Sequence, residues 1–293
     1  MMTNTQNFWN SMRGKHISPT AFNDQMGSNQ TPDEFKGKFD KALAKDNVFR
    51  RLATVVHTTA PEGTIQAVAS TGLAEWVAEG GSIPESADAI TPFPVYSHKL
   101  ASLVRLNNSF VSDNAFDIEK YLLNAFARRF GRAEEAAFLN GAGVDEPMGL
   151  LSNSGAEVGV TAASMTYDDV VKLYFSLKSE YRTNAVFLMH DDTAMALRTL
   201  KDSAGSPIWS AQNDTIFGKP VITSPSMPLP TSGAKPIAFG DLSYYWVIER
   251  QPITIKRLNE RYAVQGQIGF TAYERLDGRL ILPEAVKVLQ MAG

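Results

Sequence analysis

The stretch from Ile118 to Phe138 constrains this chain more than any other. Apolar residues recur there at Ile118, Tyr121, Leu122, Ala125, Phe126, Phe130, Ala133 and Ala137, while Arg128, Arg132 and Glu135 fall largely off that stripe. The spacing predicts a helix of about six turns, on the order of 30 Å long. Asp113 to Asp117 supplies a turn and an N-terminal cap, and Asn140-Gly141 is expected to end the helix with a left-handed residue. A rod of that length needs other elements to cover its apolar face, so the remainder must provide them.

Upstream, residues 1 to 31 are polar with scattered apolar anchors, cannot form a core of their own, and read as an arm. Thr31 or Asp33 is placed to cap a short helix with Pro32 in its first turn, carrying Phe35, Phe39, Ala42 and Leu43 on one face. Val48 to Ala60 is rich in β-branched residues and strand-like. Gly63, Gly72, Gly80, Gly81, Pro84, Pro92 and Pro94 then punctuate two runs, Thr64 to Val77 and Pro92 to Lys99, which fit a long two-stranded excursion. An isolated hairpin is marginal in water, so Ile65, Val68, Leu73, Trp76 and Val77 call for burial. Composition alone favours a hairpin folded back on its own domain; a neighbouring subunit is the other partner. Leu100 to Val111 reads as a further strand.

Beyond a Gly-rich loop through Leu151, α and β elements alternate. Helices are expected over Tyr167 to Tyr181 and from Asp191 or Asp192, as cap, to near Leu200, with a buried-type strand at Ala185 to Met189 between them. Strands follow at Pro236 to Phe239, Tyr245 to Arg250, Ile253 to Leu258, Gly266 to Glu274 and Arg279 to Leu282. This is an α+β chain with mixed sheets and no internal repeat.

At 293 residues, two domains, or one with long excursions, are expected. Hydrophobic residues at 44% and charged residues at 20% place the chain among globular proteins, and the absence of cysteine excludes disulfides, thiolate metal sites and cysteine nucleophiles. The first fifty residues are slightly basic and the rest acidic, with net charge -3, so this body does not clasp nucleic acid through a phosphate-binding face. No secretory signal and no apolar run of about 20 residues is present, which argues for a soluble cytoplasmic product without a membrane partner.

Catalytic motifs fail on context. His16, His57, His98 and His190 lack a second ligand at helical spacing; only His190-Asp191-Asp192 invites a metal or general-base reading, and a helix cap accounts for it more cheaply. Gly141-Ala142-Gly143 follows a helix and meets Glu146 where a third glycine belongs. Gly218-Lys219 lacks the upstream glycine of a phosphate loop and is followed by Pro220. The pairs Asp168-Asp169 and Glu134-Glu135 read as solvated helix faces or first-turn charges. No cofactor or metal is expected, and no enzymatic activity.

The order of elements, arm, strand, hairpin, strand, long helix, Gly loop and α/β region, resembles the HK97-like major capsid proteins of tailed bacteriophages. The residues 74 to 86, from Ala74 to Ser86 through Trp76, Glu79, Ile83 and Pro84, look like that family's extended loop. Asp117-Ile118-Glu119, Phe138 to Gly143 and Pro147 to Leu151 are similar to its spine helix and the turn that leaves it. Leu200-Lys201-Asp202, Phe217 to Val221, Phe239-Gly240-Asp241 and Arg275 through Pro283-Glu284-Ala285 continue the series in order.

The resemblance implies an N-terminal arm over residues 1–47 and a peripheral domain from 48–61, 99–157 and 250–276. It makes residues 62–98 an extended loop reaching over an adjacent subunit, which reverses the preference for a folded-back hairpin, and gives an axial domain from 158–249 and 277–293. It further implies assembly through hexamers and pentamers into an icosahedral head around double-stranded DNA, without sequence-specific binding, in the host cytoplasm. Scaffolding protein, portal and a decoration or cement protein are implied partners; because only a short arm precedes the body, the scaffold is expected to be a separate protein or its segment to be absent from this sequence. At the positions of the family's cross-linking lysine, asparagine and glutamate stand Gly80, Gly266 and Tyr273, so no covalent cross-link is expected. Trp76, Glu79, Ile83, Pro84, Phe93 and Arg128 are the candidate inter-subunit contacts, Glu79 and Arg128 as ion-pair partners. An encapsulin-like nanocompartment and a soluble enzyme using His190, Asp191 and Asp192 remain as alternatives.

Overall fold

The computed structural model describes residues 4–14, 31–58, 63–70, 76–77, 79–80, 82, 89–113, 116–201, 205, 209–210 and 214–293. The arm is more structured than its composition predicts. Helix α1 (Asn4–Arg13) buries Trp9 and Met12 against Phe35 and its neighbours, so it completes a core that it could not have formed alone. Helix α2 (Asp33–Asp46) buries Phe35, Phe39 and Leu43. Neither Thr31 nor Asp33 caps it: the cap position is Pro32, and the Thr31 hydroxyl accepts instead from the amide of Ile255, 3.0 Å away.

The expected strand from Val48 begins as a helical turn. Asn47 Oδ1 accepts from the amides of Phe49 and Arg50, which starts α3 (Phe49–Leu52), and among the described residues of that stretch the strand is β1 (Thr54–His57). The hairpin is β2 (Gly63–Ser70) paired antiparallel with β3 (Ala89–Val95). Lys99 belongs instead to β4 (His98–Asn107), which stops short of Val111 because α4 (Asn108–Ser112) follows. Helix α5 (Ile118–Asn140) matches its predicted span closely, with Asp117 accepting from the Lys120 amide at 3.0 Å. Its end differs from expectation: Gly141 has φ -59, and a Cβ there would lie 2.2 Å from the Pro147 carbonyl oxygen. Glycine is required for close approach, not for a left-handed turn.

The second half runs β5 (Glu157–Ala162), α6 (Tyr167–Ser176), α7 (Ser179–Arg182), β6 (Val186–Met189), α8 (Asp191–Arg198), β7 (Trp209–Ser210), β8 (Thr215–Ile216), β9 (Lys219–Thr223) and β10 (Ile237–Gly240). It closes with β11 (Tyr245–Leu258), β12 (Gln267–Leu280) and β13 (Val286–Met291). The single helix expected over Tyr167 to Tyr181 is two, broken at the extended Leu177. Thr166 and Asp169 form a reciprocal capping box at the first. Conversely, the four C-terminal strands expected between Tyr245 and Leu282 are two long ones, and β11 absorbs Pro252 where its pairing with β12 slips.

Among the described residues the strands form three sheets. One has four strands in the order β1-β11-β12-β4, one has seven in the order β5-β13-β10-β6-β9-β8-β7, and β2 and β3 form the third. Helices α1, α2 and α5 pack on the four-stranded sheet through Phe39, Leu122, Phe126, Phe130, Ile255 and Phe270. In the seven-stranded sheet, strand alternation sends Phe187, Met189, Ile237, Phe239 and Leu289 toward α6 and α8. Val186, Leu188, Ala238, Val286 and Val288 face the other way, onto Phe49, Phe138, Tyr245 and Val247, which bind the two larger sheets together.

Candidate assembly surfaces

The residues singled out from the sequence lie on two elements. Trp76 and Glu79 lie between β2 and β3, both exposed, with Trp76 fully accessible at 105%. Phe93 sits on β3, half-buried, opposite Ile65 of β2. Ile83 and Pro84 fall outside the described residues. Arg128 is on the exposed face of α5 together with Lys120, Arg129 and Arg132. Arg129 donates to the Leu103 carbonyl at 2.8 Å, tying the helix to β4.

Charge is segregated between these elements. Residues 58–97 carry Glu62, Glu75, Glu79, Glu85 and Asp88 and no Lys or Arg, whereas the exposed charges of α5 named above are all cationic. The excursion and the helix face are thus opposite in charge.

Exposed apolar groups extend beyond those foreseen. Ile90 on β3, Tyr96 at its end, Phe110 on α4, Tyr121 on α5 and Val264 in the β11–β12 turn are all exposed. Phe110, Phe116 and Tyr121 touch in sequence, with centroids 5.9 and 5.4 Å apart. The Asn108 amide, bonded to the Gly266 carbonyl, brings α4 to the same end of the sheet as the Val264 turn. The signal for Val264 was available, because an apolar residue in a short turn closed by Gly266 between two strands has no core of its own to enter.

A different expectation is overturned inside the molecule. Glu134 and Glu135 are buried, not solvated. Arg50 of α3 grips Glu134 with a two-bonded fork, Nη2 to Oε1 at 2.6 Å and Nε to Oε2 at 2.9 Å, and its Nη1 reaches Glu249 of β11. Asn47 Nδ2 donates to Glu134 at 3.0 Å. Glu274 of β12 is buried beside them; burial, then the negative charge of Glu134 and a hydrogen bond to it, hold its carboxyl well above the usual range. Glu135 bonds the Ser224 hydroxyl, and burial raises its carboxyl too. The signal was a step of four: Ile118, Leu122, Phe126 and Phe130 put Glu134 and Phe138 on the same buried stripe.

The histidine cluster resolves as a cap. His190 itself, not Asp191 or Asp192, holds the N-terminus of α8, its Nδ1 accepting from the Asp192 amide at 3.1 Å. Among the described residues no three His, Cys, Asp or Glu side chains gather as a metal site, and no helix is long and apolar enough to cross a membrane. Gly80 and Gly266 both have positive φ, and Tyr273 lies under the ammonium groups of Lys99 and Lys256.

Known proteins are similar along nearly the whole chain. The model of the phage capsid family matches residues 27–291. The capsid of an empty GTA particle is 30% identical with a TM-score of 0.73, covering 85% of this chain and 90% of that one. The capsid of a native GTA particle is 27% identical with a TM-score of 0.66, covering 95% and 99%. A chain of Microbacterium phage Oxtober96 shares the fold at 17% identity, with a TM-score of 0.61 and coverage of 84% and 91%. A search among curated proteins found no match.

Proposed function

From the premise that the chain belongs to the phage capsid family and is a major capsid protein of an icosahedral shell, we propose that it assembles through hexamers and pentamers whose hairpins reach over neighbouring subunits. The observation that carries this reading is the hairpin: among the described residues β2 and β3 pair with no third strand, yet they carry exposed Ile90 and lead to exposed Trp76. A two-stranded sheet with uncovered apolar groups gains stability by docking. Trp76 and Phe93, with Ile83 and Pro84, are the apolar contacts, and Glu79 meets Arg128 of the next copy, in keeping with the acidic excursion and cationic helix face. Closed rings form when such head-to-tail contacts repeat through a rotation that returns to its start.

In this reading the four-stranded sheet with α5, over 48–61, 99–157 and 250–276, is the peripheral domain. The seven-stranded sheet, over 158–249 and 277–293, is the axial domain around the symmetry centres, residues 62–98 are the extended loop, and residues 1–47 form the arm. The shell assembles in the host cytoplasm around double-stranded DNA, with scaffolding, portal and decoration proteins as partners. It has no catalytic role and is held without covalent cross-links, since Gly80, Gly266 and Tyr273 cannot form an isopeptide. Neither an encapsulin-like compartment nor an enzyme built on His190 has support from the likenesses found.

Size-exclusion chromatography of the recombinant chain, followed by negative-stain electron microscopy of the largest species, tests the reading. Shells, tubes or discrete hexamers and pentamers are expected. A monomer or dimer that stays small, even with scaffolding protein added, would overturn it.

A further inference from the structure

The two roots of the hairpin meet at one place. On the incoming side, the Thr58 amide donates to the Glu249 carbonyl at 2.9 Å, and His57 Nδ1 lies 3.0 Å from Glu249 Oε2. On the outgoing side, the Val95 carbonyl accepts from Arg250 Nη2 at 2.9 Å and the Tyr96 amide donates to Asp277 Oδ2 at 2.7 Å. Arg275 Nη1 reaches the Ser97 carbonyl at 3.4 Å, and His98 Nε2 stands 3.6 Å from Asp277 Oδ1. The pairing of β11 with β12 slips between Glu249 and Gln251 and again before Thr254. Such bulges bend a strand and re-aim its side chains. Here adjacent residues, Glu249 and Arg250, serve opposite roots.

We propose that this bulge is a lock: Glu249 and Arg250, with Asp277 beside them, fix the direction in which the hairpin leaves the body and couple it through Arg50 to the long helix. The hairpin has no third strand among the described residues to orient it, so its direction rests on these root contacts. Glu249 is the joint because its two carboxylate oxygens face different parts, Oε1 toward Arg50 and Oε2 toward His57. Arg50 in turn holds Glu134 on α5. A shift of that helix therefore passes to the hairpin root through two ion pairs. The pair of Arg50 with Glu134 is complete without Glu249, so neutralising Glu249 loosens the root while leaving the buried guanidinium paired.

The lock is tested on the unassembled full-length chain, so its outcome does not depend on whether shells form. The absence of cysteine allows spin labels at Ile90→Cys on β3 and Arg132→Cys on α5, both exposed positions. Pulsed electron paramagnetic resonance is expected to give one narrow distance distribution, broadened by Glu249→Gln or by Asp277→Asn at the other root. Amide exchange should rise about tenfold at Thr58 and Val95 to His98, while α5 and the seven-stranded sheet keep their protection. A distribution already broad before substitution, or unchanged in both variants, overturns the lock. So does exchange that rises uniformly over the whole molecule, which would make Glu249 and Asp277 ordinary stabilising residues.

Discussion

The seven-stranded sheet and the two-stranded hairpin draw on similar β-forming residues and treat them oppositely. In the first, β6 and β10 are buried at every position, because each strand has neighbours on both edges and apolar layers on both faces. In the second, Ile90 stays exposed and, among the described residues, no third strand pairs with either edge. The difference teaches that apolar content measures how much surface a segment must bury, not whose surface covers it. One sheet finishes its burial within the chain; the other leaves apolar groups such as Ile90 exposed, which the proposed docking onto a neighbouring subunit would cover.

The largest effect expected from this contrast is in the finished sheet. Phe239 stacks on Phe187 with centroids 4.2 Å apart and on Tyr174 at 5.3 Å, so Phe239→Ala should cost about 3–5 kcal/mol. Urea unfolding of the unassembled chain checks it, and a cost no larger than that of a surface substitution would erase the contrast. Trp76→Ala should reverse the pattern. Stability should change by less than about 0.5 kcal/mol, while the concentration needed for assembly rises by more than tenfold, as loss of a buried interface anchor worth about 2 kcal/mol requires. Light scattering during assembly measures the second quantity, and normal particles at the usual concentration would remove Trp76 from the interface.

The four-stranded sheet offers an intermediate case, finished within the chain but with charge inside. Glu274 binds its proton more tightly folded than unfolded, so its contribution is fully present below the ordinary glutamate range. That contribution is lost as pH rises toward the raised folded value. Glu274→Gln, which keeps a donor facing Glu134, should flatten the decline in unfolding midpoint above pH of about 4.3. Equal slopes in wild type and variant would mean that Glu274 is ionised in the fold. Smallest of all, Arg128→Ala should leave stability within about 0.5 kcal/mol and weaken assembly at low salt only, since exposed ion pairs are screened within about 10 Å at 0.1 M ionic strength. A salt-independent defect would point to packing by the Arg128 stem instead.

Much of this was readable from local pattern. The apolar stripe of α5, its Asp117 cap, the Gly- and Pro-punctuated excursion and the alternation of helix and strand after Leu151 all depend on residues within a few positions of one another. The exposed apolar surface was legible in part: Trp76 stands exposed where the excursion was expected, whereas the Phe110, Phe116 and Tyr121 cluster was missed because each residue also fits a core. The expected split of Tyr245–Leu258 into two strands failed because Pro252 reads as a terminator locally, while a bulge against β12 accommodates it.

By itself, then, the sequence determined the periodic elements, the excursion and the absence of cysteine chemistry, since backbone propensity and side-chain period act over one or two turns. Only the tertiary structure decided that Glu134 and Glu274 are buried and that Arg50 holds Glu134 to Glu249. It also decided that both hairpin roots close on Glu249 and Arg250. Arg50 and Glu134 are 84 positions apart, and Arg50 and Glu249 are 199 apart. A charge is buried only when a distant partner arrives to compensate its lost hydration, and no local pattern records that arrival.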